Sequence, residues 1–301
     1  MEDEKLLTYG AQLIQKGNKS EAIKVFTALA NSKNDGVKLQ AYDALLTVLD
    51  QIKDYEIIKS LCEKGINISQ AQSRMDNLAY FQIRKANAIS IKIGGWKYVR
   101  KLFKLSPQWV GFATEEEEGK YKEIDTKIQQ NEQQVEILCR EALKNAKMAS
   151  NKKLLGMVHL YRSSIWRNRY SDLRVEQMAR TINFLPHGKI RDFMEYSKND
   201  LKLINQYDQE AIADLKMAIT IFGEVGDKDS ISYCWNNLTN HYIHSYRYIK
   251  ALIALIKLAK SIRGTTDQEL IRHFKTLKFR LFTMNKNIPN YAENYKEYMA
   301  D

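Results

Sequence analysis

Residues that interrupt regular structure are scarce in this chain. Its 301 residues include only three prolines (Pro107, Pro186 and Pro289) and 13 glycines. A sheet-rich protein of this length needs many turn residues to reverse its strands, so their scarcity favours long helices joined by short loops. The length also exceeds what one compact core usually serves, which indicates either two domains or an elongated array.

Cysteine is also rare, and long apolar segments are missing. Cys62, Cys139 and Cys234 are odd in number and far apart, which argues against a disulfide framework or a zinc site. No apolar run approaches the length needed to cross a bilayer. The acidic start, Met1–Glu4, differs from the basic start of a signal peptide. We therefore expect a cytoplasmic protein with reduced thiols and no membrane association.

Acidic residues are fewer than basic residues, and this imbalance varies along the chain. The chain has 47 Lys and Arg against 36 Asp and Glu, a formal net charge of +11. Between Ser245 and Lys286, ten basic residues stand against Asp267 and Glu269. Such a segment suits an acidic protein, a nucleic acid or an anionic membrane surface. A solvated, lysine-rich helix face explains the same pattern, and we favour it because no nucleic-acid motif accompanies the charge.

Paired helices with matching contacts are predicted near the N-terminus. One face of a first helix carries Leu6, Tyr9, Gly10 and Leu13. After a turn at 16–18, the inner face of a second helix carries Ala22, Phe26 and Leu29. Gly10 and Ala22 are small enough to let the two helices approach closely, and Phe26 fills the space beside them. This spacing predicts a helical hairpin.

Further hairpins are predicted along the rest of the chain. In the second hairpin the apolar positions are Tyr42, Leu45, Leu46, Leu49, Ile58, Leu61 and Cys62, on either side of a turn at 53–56. A third is expected over 75–105 with its turn at Gly94–Trp96, and another over 152–185 with its turn at Tyr170–Asp172. A helix over 120–149 has Ala142 and Ala146 as small contacts. The segment Pro186–Gly188 predicts a break between superhelical segments.

The segment from Ser232 to Ser261 has the most regular pattern. The inner face of its first helix is Trp235, Leu238, Thr239 and Tyr242, and its second helix follows with Ala251, Leu255 and Leu258. A turn at Tyr246–Tyr248 separates the two helices, and a break at Gly226–Lys228 precedes them. A closing helical pair is predicted over 267–299, interrupted at Pro289.

These hairpins resemble tetratricopeptide (TPR) repeats. The resemblance rests on the pattern of Gly10, Ala22 and Phe26 and on the Ser232–Ser261 unit. The segment Phe222–Lys228 leading into Asn236–Asn240 is similar to a longer TPR variant found in bacterial peptide sensors and signalling scaffolds. It implies an all-α, right-handed solenoid of about seven to eight hairpins. We divide it into N-terminal repeats (1–106), irregular hairpins (107–187) and C-terminal repeats with capping helices (188–301).

Asparagines of the Ser232–Ser261 unit are the strongest candidates for partner binding. In families that the chain resembles, asparagines on the groove side of the first helix bond the backbone of a bound peptide. Here the candidate residues are Asn236, Asn237, Asn240 and His244. The alternative is that these side chains bond neighbouring repeats or face solvent. Three arginines around Trp166 are a second candidate, as a basic anchor for an acidic partner: Arg162, Arg167 and Arg169.

Motifs for catalysis, metals and cofactors are missing. His241 and His244 are three residues apart, but no third ligand stands at a suitable spacing, and there is no zinc-protease helix. No phosphate-binding loop or nucleophile elbow occurs. The basic clamp of chaperone-binding TPR proteins is also missing, because its positions hold Leu7, Ala11, Asp43 and Thr47. We predict no enzyme activity, no cofactor and no metal.

Three functions are consistent with this sequence. The first is a protein–protein interaction scaffold that binds an extended peptide or a helix in its concave groove. The second is a peptide-responsive sensor of the bacterial type, for which the early start of the repeats would leave the output to another subunit. The third is association with nucleic acid through the basic C-terminal third, although no repeated base-reading side chains are present.

Overall fold

Helices make up the chain wherever its structure is described. A computed structural model describes residues 2–52, 54–105, 115–183 and 198–284. Within these residues there are eleven α-helices and no strand. In order they are α1 (Glu2–Gln15), α2 (Lys19–Leu29), α3 (Asp35–Ile52), α4 (Tyr55–Ala71), α5 (Met75–Leu105), α6 (Glu115–Met148), α7 (Lys152–Asn183), α8 (Lys198–Glu224), α9 (Lys228–His244), α10 (Tyr248–Ser261) and α11 (Gln268–Met284). The all-α class predicted from the scarcity of turn residues is confirmed.

Short turns of one kind connect several successive helices. Gly17 and Gly226 each follow a helix with a φ of 77° and 71°, a left-handed conformation that costs glycine little. The next residue closes the turn, as when the Asp227 N–H donates to the Phe222 carbonyl at 2.9 Å. Asp227 then begins α9, because its carboxylate accepts from the Ser230 N–H at 3.0 Å. The predicted turns at 16–18 and 226–228 are confirmed.

Glycine lies under phenylalanine where helices approach most closely. A methyl group on Gly10 of α1 would lie 2.5 Å from Cζ of Phe26, which is buried in α2. The same arrangement joins Gly156 of α7 to Phe222 of α8, where the distance would be 2.8 Å. Both distances are too short for carbon atoms that do not share a bond, so only glycine fits. The packing predicted for Gly10 and Phe26 is confirmed.

The core is divided among neighbouring helices. In the described residues, one cluster draws on α1 to α5, a second on α5 to α7 and a third on α7 to α11. Each cluster is contributed by helices close in sequence, as expected when hairpins stack and each contacts only its neighbours. Most predicted inner residues are buried, including Leu46, Ile58, Ala142 and Leu238.

Two of the predicted turns are wrong. Gly94–Trp96 and Tyr170–Asp172 lie inside the long helices α5 and α7. The glycines at 94 and 95 each cost a helix about 1 kcal/mol relative to alanine, but α5 packs along both α6 and α7 and so stays continuous. In α7, Tyr170 is buried against His241. Tertiary packing therefore replaces two predicted hairpins with single helices.

Some other expectations differ from the structure or lie outside it. Leu6 and Tyr9 were predicted to face inward, yet they are 39% and 44% exposed, because only Gly10 and Leu13 of α1 face α2 closely enough to be buried. The breaks at Pro107, Pro186 and Pro289 lie outside the described residues. So do both boundaries between the three predicted segments. Of the closing helical pair predicted over 267–299, the structure describes only the first helix, α11.

Candidate functional site

Odd-numbered helices form one layer of the array. The helices two apart in sequence that pack on each other are α1 with α3, α5 with α7, and α9 with α11. Side chains bridge the remaining odd pairs: Arg84 of α5 donates to the Leu46 carbonyl of α3 at 3.1 Å, and Arg167 of α7 donates to Asn237 of α9. We call α1, α3, α5, α7, α9 and α11 the odd-helix layer.

Two arginines of the odd-helix layer are held by asparagine side chains. The Arg167 guanidinium donates to Oδ1 of Asn237 at 2.8 Å. Arg280 of α11 donates to Oδ1 of Asn240 at 3.1 Å and lies 3.3 Å from Nε2 of His244. Asn237, Asn240 and His244 are spaced three and four residues apart, so α9 presents them on one face. We call these five residues the two-arginine cluster.

The charges of the cluster act on His244. This imidazole is still open to solvent on one side. Loss of hydration lowers its pKa, and the positive charges of Arg280 and Arg167 lower it further. Because both guanidinium charges act on one ring, the cluster is a region of concentrated positive charge. At neutral pH His244 is neutral and adds no charge of its own.

Neither arginine of the cluster has a carboxylate partner. Among the described residues, Arg167 and Arg280 contact only amide oxygens and an imidazole. Most other arginines that cross between helices are paired with an acid: Arg84 with Asp50 at 2.7 Å and Arg169 with Glu136 at 2.7 Å. Burial lowers the pKa of Arg167, as expected for a guanidinium that has no acid beside it among the described residues. Such a group favours an anion that can bond with it.

A polar cleft continues the cluster across the layer. It lies between α5 and α7 with a volume of about 500 Å³, and Arg167 is part of its lining. Most of its polar lining consists of uncharged amides and hydroxyls, and one carboxylate, that of Asp172, lies beside them. The amides and small hydroxyls are those of Asn87, Ser90, Ser164, Asn168 and Ser171. Amides and hydroxyls both donate and accept, so these walls suit the N–H and C=O groups of a peptide backbone.

The asparagines predicted to bind a peptide backbone differ in what their side chains contact. Asn237 and Asn240 bond arginines of neighbouring odd helices, which was the alternative left open by the sequence. Within the part of the chain that the structure describes, their hydrogen bonds to these arginines use only Oδ1, and their side-chain N–H groups remain donors. Asn236 differs, because its Oδ1 is buried with no hydrogen-bond partner in the described residues.

The three predicted anchor arginines point to three different helices. Arg162 lies 3.4 Å from Asp214 of α8. Arg169 is buried and paired with Glu136 of α6, while Arg167 extends to α9. Of the three, only Arg167 has no carboxylate partner among the described residues. The reason is that Arg162 and Arg169 share one face of α7, whereas Arg167 lies on another face.

Sequence reasoning missed part of this surface. Arg280 lies 40 residues from Asn240. The sequence predicts for it only membership of the basic segment between Ser245 and Lys286. Asn87 and Asn168 come from helices whose predicted turns were wrong. No local spacing relates residues on α5, α7, α9 and α11, so only the stacking of these helices brings them together.

Reactive groups elsewhere are buried or internally bonded. The thiols of Cys62, Cys139 and Cys234 are free and buried, and burial raises the pKa of each to about 12. His241 is buried and bonded to Asp208 at 2.9 Å. In the part of the chain that the structure describes, no group of three or more histidines, cysteines and acids converges as a metal site. None of its helices is apolar over enough length to span a bilayer.

Comparison with known proteins adds no relative. A scan against protein-family models finds no match to this chain, and a search of curated proteins finds none either.

Proposed function

We propose that the protein is a non-enzymatic interaction scaffold whose odd-helix layer binds an extended acidic segment of another protein. The observation that carries this proposal is the pair Arg167 and Arg280, two guanidiniums that asparagines hold in place and that have no carboxylate partner among the described residues. A bound Asp or Glu would supply the missing acid. Fixing the arginines beforehand lowers the entropy lost on binding.

The polar cleft extends the surface available to such a segment. Its amides and hydroxyls bond backbone groups without selecting side chains, while the arginines select for acids. Assignment to the TPR family, a right-handed superhelix and a cytoplasmic location belong to the same proposal. They rest on the sequence resemblance and on the stacked helical pairs.

Fluorescence polarisation with two labelled peptides of equal length tests the proposal. One peptide is rich in Asp and Glu, and the other replaces each acid with its amide. We expect the acidic peptide to bind more tightly. Arg167→Gln/Arg280→Gln should weaken its binding by about 10-fold or more, because each charge-assisted hydrogen bond contributes roughly 1.5–3 kcal/mol.

A matched variant controls for net charge. Arg74 and Arg263 are exposed and lie in turns outside the odd helices. Arg74→Gln/Arg263→Gln therefore removes the same charge and should leave the affinity within about twofold, as for weak surface effects. Equal losses in both variants, with folding intact by circular dichroism, would show that only overall charge matters. Equal binding of the two peptides would reject the acidic partner.

The two other functions stay predictions. A peptide sensor would become more compact when it binds, which small-angle scattering measures. Association with nucleic acid would weaken steeply as salt rises. Neither has a structural observation as specific as the two-arginine cluster.

A further inference from the structure

A second cationic cleft lies between α6 and α7, on another face of α7 from Arg167. It has a volume of about 430 Å³. Its α7 wall is Arg162 and Trp166, whose side chains contact Asp214 of α8. Arg167, in contrast, extends from α7 to α9. This α6–α7 cleft is therefore separate from the two-arginine cluster.

Three cations of α6 that have no carboxylate partner among the described residues line the α6–α7 cleft. Arg140, Lys144 and Lys147 are exposed, and none of them pairs with a carboxylate in the described residues. Their spacing of four and three residues places them on one helix face, over roughly 10 Å. In the same region most acids are already engaged: Glu136 bonds Arg169 at 2.7 Å. The cleft therefore has a net positive charge of about three.

The wall of the cleft formed by α7 is rigid. The Trp166 ring stacks on Tyr207 with centroids 5.9 Å apart, and its indole N–H donates to Asp214 at 3.1 Å. Asp214 also accepts from His159 at 2.6 Å. Arg162 is less fully bonded, because it lies 3.4 Å from Asp214 and 4.0 Å from Glu210. Its buried Nε has no hydrogen-bond partner among the residues that the structure describes. An incoming anion would give this guanidinium a stronger acceptor than Glu210.

The shape of the cleft selects among anions. The row of three cations is short, and Glu136 bounds it at one end. A long polyanion would extend past this row and meet Glu136, whereas a compact anion with several charges would contact all three cations at once. The volume is within the range of pockets that take small organic ligands, about 300–1,000 Å³. Arginine and lysine together are the side chains that proteins use for phosphate.

We propose that the α6–α7 cleft binds the phosphate chain of a small, multiply charged phosphate compound, such as a nucleoside triphosphate. Arg140, Lys144 and Lys147 would bond the phosphate oxygens from α6, and Arg162 would do so from α7. No chemical step is involved, so the site is a binding site only.

Isothermal titration calorimetry with ATP and with pyrophosphate tests this site. Arg140→Gln/Lys144→Gln removes two charges from exposed positions and so keeps the fold. We expect wild-type protein to bind both compounds and this variant to bind them about 10-fold or more weakly, since charge-assisted hydrogen bonds are lost. The control Lys250→Gln/Lys260→Gln removes the same charge from exposed positions of α10 and should bind as wild type does.

Three results would overturn the proposal. They are no heat of binding with millimolar ATP or pyrophosphate, equal weakening in the variant and the control, and a single-stranded oligonucleotide that binds through Arg140 and Lys144 far more tightly than ATP. The last result would assign the cleft to nucleic acid. Acidic-peptide binding should be unchanged in Arg140→Gln/Lys144→Gln. A failure of the phosphate site is therefore distinguishable from a failure of peptide binding by the odd-helix layer.

Discussion

Arg167 and Asn237 are joined across two odd helices by a hydrogen bond of 2.8 Å from the guanidinium to the amide oxygen. The amide satisfies one donor of the arginine but cancels none of its charge. A carboxylate at the same position would orient the arginine equally well and neutralise it. The choice of asparagine therefore leaves a positioned positive charge available to a partner.

Asn237→Asp should neutralise the positive charge of Arg167 that a partner would otherwise bind. It keeps the size of the side chain and forms an ion pair with Arg167, so we expect acidic-peptide binding to weaken about 10-fold while stability stays the same or rises. Fluorescence polarisation measures the affinity, and urea denaturation measures the free energy of unfolding. The control is Asn205→Asp, at an exposed position of α8. Unchanged affinity in Asn237→Asp would exclude Arg167 from the binding surface.

Binding of an acidic peptide should be coupled to protonation of His244. In the free protein, loss of hydration and the charges of Arg280 (α11), Arg167 (α7) and His241 of its own helix lower the pKa of His244. A bound carboxylate would offset those charges and raise this pKa. We therefore expect tighter binding as pH falls below about 6.5, the ordinary histidine value.

The measurement is peptide affinity from pH 7.5 down to pH 5.5, with His244→Gln as the comparison. The variant should lose the pH dependence in this range. A lowered histidine pKa also means that the unfolded chain binds a proton more readily than the folded one. Stability without peptide should therefore fall as pH drops below about 6.5, and less so in His244→Gln. A pH profile shared by both proteins would contradict the assignment.

Asp208 links α8 to α9 and to the turn after it. Its buried carboxylate accepts from His241 at 2.9 Å and from Arg247 at 2.5 Å. Asp208→Asn should lower the free energy of unfolding by about 1.5–3 kcal/mol, since hydrogen bonds to a charged group are lost, one to the buried His241 and one to the partly exposed Arg247. Asp229→Asn, exposed in the first turn of α9, should cost only about 0.5 kcal/mol. Urea denaturation of both variants compares the two costs.

The same carboxylate gives stability a pH dependence in acid. Burial acts to raise the pKa of Asp208, but hydrogen bonds and charge from His241 and Arg247 outweigh it, so the pKa is lowered. This contribution is fully present above about pH 4, the ordinary aspartate value, and is lost as pH falls through the lowered pKa. Asp208→Asn should flatten this part of the stability profile. An unchanged profile would show that the pair contributes nothing there.

Glycine substitutions should have opposite effects at two helical positions. Gly10→Ala places a methyl group 2.5 Å from Phe26 and should destabilise the protein by about 1–3 kcal/mol through overpacking. Gly95→Ala in α5 meets no atom within 4 Å, so it should stabilise by roughly 0.5–1 kcal/mol through helix propensity. Midpoints of thermal or urea unfolding measure both. A stabilising Gly10→Ala would contradict the close approach of α1 and α2.

Local patterns in the sequence were sufficient for the helices and for most short turns. The spacing of Gly10, Ala22 and Phe26 predicted a real helix–helix contact, because residues three and four apart share a helix face and small residues set the approach. The same reasoning failed at Gly94–Trp96 and at Tyr170–Asp172, because α5 and α7 are kept continuous by packing against helices that local patterns do not include.

By itself, the sequence determined an all-α array with paired helices, since these follow from turn residues, periodicity and hydrophobicity within short segments. Tertiary structure alone decided which charges are free. Arg162, Arg167 and Arg169 are neighbours in sequence, yet two of them meet acids on α8 and α6 while Arg167 meets an amide on α9. Charge compensation depends on distances of a few ångströms between distant segments, and only the stacking of the helices sets those distances.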